Sequence, residues 1–108
     1  MVSPEILTSI RQYLHALADE GIPASFGVLF GSQATGSADK WSDIDLVVVS
    51  RRFDGRKRRG DVTRLWRLTA VTDCRIEPVP CGEQEWVEDD SRAIIEIARR
   101  EGVIITPN

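Results

Sequence analysis

The chain has 108 residues, of which 42% are hydrophobic, and it carries a formal net charge of −3. This length suits one compact domain over residues 1–108, and the negative charge argues against general nucleic-acid binding, which depends on clustered lysine and arginine. Because no apolar run approaches the roughly 20 residues that span a bilayer, and no N-terminal signal is present, we expect a cytoplasmic protein without membrane contact.

The first predicted element is an amphipathic helix that ends near Gly21. Ser3, Pro4 and Glu5 are typical of a helix start, since serine caps the helix, proline fits its first position and glutamate suits its positive end. Apolar residues then recur at three- and four-residue steps, which predicts one stripe packed on a sheet. This stripe consists of Ile6, Leu7, Ile10, Leu14 and Leu17.

Two predicted strands, residues 25–30 and 43–50, enclose a glycine-rich turn and a short helix over residues 32–38. Successive strand residues point to opposite faces, so Asp43 and Asp45 project from the same face. Two such carboxylates repel each other unless a cation lies between them, and their hard oxygen atoms favour Mg²⁺. This pattern predicts a magnesium site beside a turn that can hold phosphate oxygens.

A strongly basic segment follows the second strand. Residues 51–60, RRFDGRKRRG, contain six basic residues around Asp54 and Gly55, and we expect a loop that is mobile or bound to a partner. Three functional readings of this loop remain open: steering of a triphosphate, contact with RNA, and docking of an acidic partner. Docking ranks first among them.

The C-terminal half predicts two further helices and two further strands. Cys74 and Cys81 lack the spacing of a zinc site, so we expect reduced thiols. The strand after the first of these helices carries Glu77, with Ile76 facing the core beside it. The predicted elements are a helix over 61–70, a strand over 74–79, a helix over 83–100 and a short edge strand over 103–106.

Residues 30–50, FGSQATGSADKWSDIDLVVVS, resemble the signature of the minimal nucleotidyltransferases of the DNA polymerase beta-like superfamily. The resemblance lies in the Gly31-Ser32 pair, the second glycine at Gly36, Ser42 directly before the first aspartate, and the Asp-x-Asp pair before an apolar strand. It implies an α/β (α+β) fold, in which a small mixed β-sheet has its helices packed on one side. Many relatives have arginine where this chain has Gln33.

The resemblance also implies an activity and its residues. The activity is Mg²⁺-dependent transfer of a nucleoside monophosphate, AMP from ATP, to a hydroxyl group. Asp43, Asp45 and Glu77 would be the catalytic acids and would hold two Mg²⁺ ions, with Asp73 as the alternative third acid. The nucleotide would be bound by residues of the turn and of the strand entry, namely Gly31, Ser32 and Ser42.

Relatives of this size resemble the antitoxin half of toxin–antitoxin modules, in which the partner is a helical HEPN-domain ribonuclease toxin. This resemblance implies that the acceptor is a tyrosine of that toxin, reached within an assembly of the two proteins. Two alternatives remain. One is an antitoxin that neutralises its partner by binding alone, and the departures from the family pattern at Gln33 and Glu77 favour it. The other is a small-molecule nucleotidyltransferase of the antibiotic-modifying kind.

Overall fold

The computed structural model describes residues 2–39, 41–88 and 92–108. It contains a four-stranded mixed sheet with the strand order β3-β2-β1-β4. The strands are β1 (Phe26–Phe30), β2 (Ile44–Val49), β3 (Ile76–Cys81) and β4 (Val103–Ile105). The helices are α1 (Pro4–Asp19), α2 (Ser32–Thr35), α3 (Arg59–Thr69), α4 (Glu83–Glu88) and α5 (Ala93–Glu101). Among the helices that the structure describes, none is long and apolar enough to cross a bilayer.

The first helix forms as the sequence predicts. The Ser3 side chain accepts a hydrogen bond from the Ile6 amide at 3.2 Å and so caps α1. Four residues of the apolar stripe are buried, and Leu7 is half-buried. Tyr13 is buried beside them, and its hydroxyl donates to the Leu65 carbonyl of α3 at 2.7 Å. This buried bond fixes α1 against α3, so both helices cover the same face of the sheet.

The mixed-sheet α/β class is confirmed, but the expectation that all helices pack on one side is wrong. Leu29 and Leu46 point into the core under α1 and α3, whereas Val28 and Val47 point to a second apolar layer under α5. Both central strands are therefore buried on both faces, which is why each face needs helices. Within β2, the uninterrupted run of apolar residues reflects this double burial.

The predicted single helix over 83–100 is also wrong. The chain forms α4 and α5 instead, and the stretch 89–91 between them lies outside the described residues. Arg92 is extended, with φ −102° and ψ 115°, and its guanidinium donates to the Pro80 carbonyl and to Glu85 Oε2 at 3.3 and 2.8 Å. These contacts fix the start of α5, which covers the second apolar layer.

The sheet register brings three chain segments together at one end. Strands β1 and β2 are antiparallel, so the end of β1 lies beside the start of β2. Strands β2 and β3 are parallel, so the start of β3 lies at the same end. Residues that follow β1 or begin β2 and β3 therefore meet there.

Candidate active site

The three predicted acids meet at this end of the sheet. Asp45 is paired with Phe30 of β1 on one side and directly with Glu77 of β3 on the other. Paired residues in a sheet project from the same face, so the side chains of Asp45 and Glu77 point the same way. Asp43 lies two residues before Asp45 and is exposed at the strand entry. The face that they share is the one covered by α5 further along the strands.

The electrostatics of this cluster show mutual repulsion. The pKa of Glu77 is raised by desolvation and by the charges of Asp43 and Asp45. Desolvation and the charge of Asp43 likewise raise the pKa of Asp45, although its interaction with the Glu77 carboxyl opposes this rise. A bound cation would relieve the repulsion, because it favours the charged form of every carboxylate around it.

The turn after β1 is built around a glycine that supports Asp45. Gly31 has φ 74° and ψ −154°, a conformation that is essentially restricted to glycine. A Cβ atom at this position would overlap with Asp45 Oδ2. The chain therefore needs glycine here both for the backbone conformation and for the close approach to the carboxylate.

Ser32 begins α2 immediately after this turn. The first amides of a helix have no intrahelical acceptor, so they are available to an anionic ligand beside Asp45. The Gly31 carbonyl accepts from the amides of Ala34 and Thr35 at 3.1 and 3.2 Å, and this closes the turn. The predicted phosphate-binding residues thus lie next to the predicted acids.

Ser42 has a local structural role at the entry to β2. Its hydroxyl accepts from the Asp39 amide at 3.0 Å and donates to Asp39 Oδ1 at 3.3 Å, while the Trp41 amide donates to the same oxygen at 2.8 Å. These bonds hold the chain directly before Asp43. The structure thus places Ser42 in this turn, and its predicted contact with the nucleotide stays a prediction.

Gln33 is a site residue whose role the sequence analysis missed. Its side-chain amide donates to the Ser42 carbonyl at 3.3 Å and so joins α2 to the entry of β2. The link connects the predicted phosphate-binding turn with the predicted metal-binding acids. The available signal was a long polar side chain in the first turn of a very short helix.

Asp73, the alternative third acid, is engaged elsewhere. It accepts two hydrogen bonds from the Arg75 guanidinium, at 3.0 and 2.7 Å. These bonds lower the pKa of Asp73 to about 2. Asp73 also precedes β3, whereas Glu77 lies in the strand opposite Asp45. The geometry therefore groups Glu77, and not Asp73, with the aspartate pair.

The donor set suits magnesium but is not a complete cage. Across residues 2–39, 41–88 and 92–108, no group of three or more acidic, cysteine or histidine side chains is arranged to hold a metal ion by itself. Carboxylate oxygens are nevertheless the ligands that Mg²⁺ prefers, and Mg²⁺ in nucleotide sites usually takes one or two carboxylates together with phosphate oxygens. Divided between two ions, the carboxylates of Asp43, Asp45 and Glu77 would fit that pattern.

The basic segment 51–60 lies at the opposite end of the sheet. It begins at Arg51, six residues beyond Asp45 along extended chain that rises about 3.3 Å per residue, so its start lies about 20 Å from that acid. Arg52 is paired with Asp61 at 2.8 Å and Lys57 with Glu85 at 3.0 Å, while Phe53 is buried. The segment is thus anchored to the fold, where we expected a mobile or partner-bound loop, and it lies far from a triphosphate at the acids.

Residues 10–101 match the family model of the nucleotidyltransferase domain. Among solved structures, a candidate nucleotidyltransferase from Sulfolobus solfataricus is 16% identical with a TM-score of 0.62, and the match covers 93% of this chain and 78% of that one. A chain of a toxin–antitoxin structure with AMP-PNP is 20% identical with a TM-score of 0.60, over 88% of this chain and 71% of that one. At these identities the likeness shows the fold. No curated protein matches the chain.

Proposed function

Because this chain belongs to the nucleotidyltransferase domain family, we propose that it transfers AMP from ATP to a hydroxyl group with the help of Mg²⁺. The observation that carries this proposal is the register of the sheet, which sets Glu77 directly opposite Asp45. The Gly31 turn lies against the same Asp45 carboxylate. The Asp45 carboxylate and the turn that would bind phosphate are thus in contact, which supports transfer of a nucleotidyl group.

In the proposed reaction, an acceptor hydroxyl attacks the α-phosphorus of ATP, a new oxygen–phosphorus bond forms and pyrophosphate leaves. The Gly31-Ser32 turn would hold the triphosphate oxygens and so fix the leaving group in line with the acceptor. Glu77 would accept the hydroxyl proton. Mg²⁺ held by Asp43, Asp45 and Glu77 would stabilise charge on the attacking and leaving oxygens.

We further propose that the acceptor is a tyrosine of a HEPN-type toxin and that the chain acts as its antitoxin. The similarity to a chain of a toxin–antitoxin structure with AMP-PNP supports this partner class. The three acids also lie at an open end of the sheet, where a tyrosine on another protein can approach. The anchored basic segment offers a separate contact for an acidic partner surface.

The test is to co-express this chain with the protein encoded by the adjacent gene, which we expect to be of HEPN type, and to measure the intact mass of that protein. We expect an increase equal to one or more AMP groups, carried by a tyrosine. Co-expression with Asp45→Asn should give an unmodified partner, while Glu96→Gln, which removes an exposed acid on α5, should leave the modification intact. An unmodified partner with the wild-type chain would refute transfer to that protein.

A second candidate function is neutralisation by binding alone. It is favoured by the absence, in the described part of the chain, of three side chains already arranged around an ion. It also agrees with the neutral Gln33 in the turn. If Asp45→Asn neutralises the toxin as fully as the wild-type chain does, binding alone is the function; if neutralisation is lost although the complex still forms, transfer is the function.

A further inference from the structure

The two edges of the sheet differ in their capacity to pair with another strand. The β3 edge contains Pro78 and Pro80, which have no amide hydrogen and so obstruct further pairing. The β4 edge, Val103–Ile105, contains neither proline nor a charged residue. Natural proteins protect an exposed edge with such residues or by keeping the edge strand short. With three residues, β4 is short, but no side chain within it obstructs pairing with one further short strand.

An apolar surface accompanies this open edge. Ile104 is 58% exposed, and it is paired with Val28, which faces the apolar layer under α5. Ile94 and Ile97 of α5 are exposed above the same face, and together with Ile104 they form what we call the β4 patch. Val103 is paired with Leu29 and therefore projects from the opposite face. Three of the eight large hydrophobic residues that are exposed in the described part of the chain belong to this patch.

The connection between α5 and β4 shows that the patch is continuous. Helix α5 covers the apolar layer on β1, and after the single residue Gly102 the chain returns as β4 beside β1. Ile97 lies five helical residues before Gly102, about 7.5 Å, and Ile104 lies two strand residues after it, about 7 Å. The two isoleucines are therefore level with each other along the edge.

The orientation of α5 directs the side chains of Ile94 and Ile97 toward β4. Arg99 donates to the Glu85 carbonyl of α4 at 2.8 Å, so this flank of α5 faces α4. On a helix, Ile94 and Ile97 lie on the flank opposite Arg99. Since β4 lies on the far side of β1 from β2 and β3, the two isoleucines face the open edge.

We propose that the β4 patch is an interface with a second copy of this chain, formed by antiparallel pairing of the two β4 strands around a twofold axis at Ile104. This inference does not depend on the proposed reaction. A twofold axis there sets Ile104 against Ile104 and brings the level Ile97 side chains together, so the patch is complementary to itself. Pairing of backbone amides and carbonyls along the edge would add to the apolar contact.

The charges beside the patch agree with this arrangement. Antiparallel pairing centred on residue 104 sets Thr106 of one copy opposite Gly102 of the other. The Arg11 side chain donates to the Thr106 carbonyl at 3.2 Å, so Arg11 lies at the end of β4. Across the interface it would approach Glu101 of the other copy, which precedes Gly102. Opposite charges therefore meet at both ends of the paired strands.

The first test is sedimentation of the purified full chain over a range of concentrations. The wild-type chain should form a dimer, and Ile104→Lys should raise its dissociation constant by about tenfold or more. Val71→Lys, which changes an exposed valine outside the patch, should leave the dimer unchanged. A wild-type chain that stays monomeric, or a dimer that persists in Ile104→Lys, would overturn the proposal. Circular dichroism checks that the variants are folded.

The second test uses disulfide formation and does not depend on weakening the dimer. In a Cys74→Ser background, Ile104→Cys should form a disulfide-linked dimer on oxidation, because the axis sets the two Cα atoms opposite each other. Val103→Cys is the matched control, since its two copies are displaced by two residues along the strands, beyond the usual Cα distance of about 4.4–6.8 Å. Equal cross-linking of both variants, or none with Ile104→Cys, would overturn the proposed register.

Discussion

Gly31 lies so close to Asp45 that a Cβ atom on the glycine would overlap with the carboxylate oxygen Oδ2. The contact joins the two halves of the candidate site, because Gly31 belongs to the turn that we propose binds phosphate and Asp45 belongs to the acidic cluster. It also explains why the motif contains glycine at this point. The turn and the acid are held in one fixed arrangement by a contact that only glycine permits.

This contact predicts the effect of Gly31→Ala. The variant must either abandon φ 74° or displace Asp45, so we expect a loss of stability of about 1–3 kcal/mol and a fall of about 100-fold in nucleotidyl transfer. Thermal unfolding and a transfer assay would measure the two effects. Gly36→Ala is the control, since Gly36 also has positive φ, 81°, but a Cβ there meets open space. Similar loss of transfer in both variants would contradict the specific role of the Asp45 contact.

Removal of charge from the acidic cluster should stabilise the protein when divalent ions are absent. Because the pKa of Asp45 is raised in the folded state, the carboxyl favours folding when protonated, and this contribution is lost as the pH rises through the raised pKa. At neutral pH the ionised group therefore opposes folding. We expect Asp45→Asn to unfold at a higher temperature than wild type in a chelating buffer.

Magnesium should reverse the order of the unfolding temperatures of wild type and Asp45→Asn. The ion would relieve the repulsion in the wild-type chain and raise its unfolding temperature, while Asp45→Asn should respond weakly. Glu96→Gln, remote from the cluster, should behave as wild type does in both buffers. A wild-type unfolding temperature that does not change with Mg²⁺ would count against an ion at this site.

The ion pair between Arg52 and Asp61 predicts that the stability of the fold also depends on pH at a second place. The hydrogen bond from Arg52 lowers the pKa of Asp61, whose side chain is only 4% exposed. The stabilisation is therefore present above the ordinary aspartate pKa, about 4, and is lost as the pH falls through the lowered value. Arg52→Ala should unfold at a lower temperature than wild type at neutral pH, and the difference should shrink in acid. Arg51→Ala, an exposed neighbour, should show no such difference.

The basic segment predicts a separation between catalysis and partner binding. Because residues 51–60 begin about 20 Å from Asp45, Arg56→Ala combined with Arg58→Ala should leave the KM for ATP unchanged. The same double variant should bind the proposed partner more slowly, and added salt should reduce the difference from wild type. Binding kinetics at two ionic strengths would measure this. A raised KM for ATP would show that the segment acts on the triphosphate after all.

Local sequence patterns predicted much of this structure. Helix α1 and its cap follow from Ser3, Pro4 and the apolar stripe, since these signals lie within a few residues of one another. The shared face of Asp43 and Asp45 follows from strand alternation alone. The place of Glu77 in the site could be predicted only from the resemblance to a known family. Its position opposite Asp45 depends on how two strands that are distant in the sequence align.

The features that the sequence did not predict depend on long-range contacts. The division between α4 and α5 is fixed by Arg92, which contacts Pro80 and Glu85. The link from Gln33 to Ser42 depends on the path of the loop between them. Helices on both faces, and the basic segment at the far end of the sheet, follow from the packing of whole elements.

The central claim is that the acids and the Gly31 turn bind one nucleotide with its metal ions. Its most direct test is a crystal structure with AMP-PNP and Mn²⁺, in which anomalous scattering locates the metal. We predict manganese in contact with Asp45 and Glu77, and phosphate oxygens on the amides of the Gly31-Ser32 turn. Nucleotide bound elsewhere, or manganese without a carboxylate of this cluster as ligand, would contradict the account.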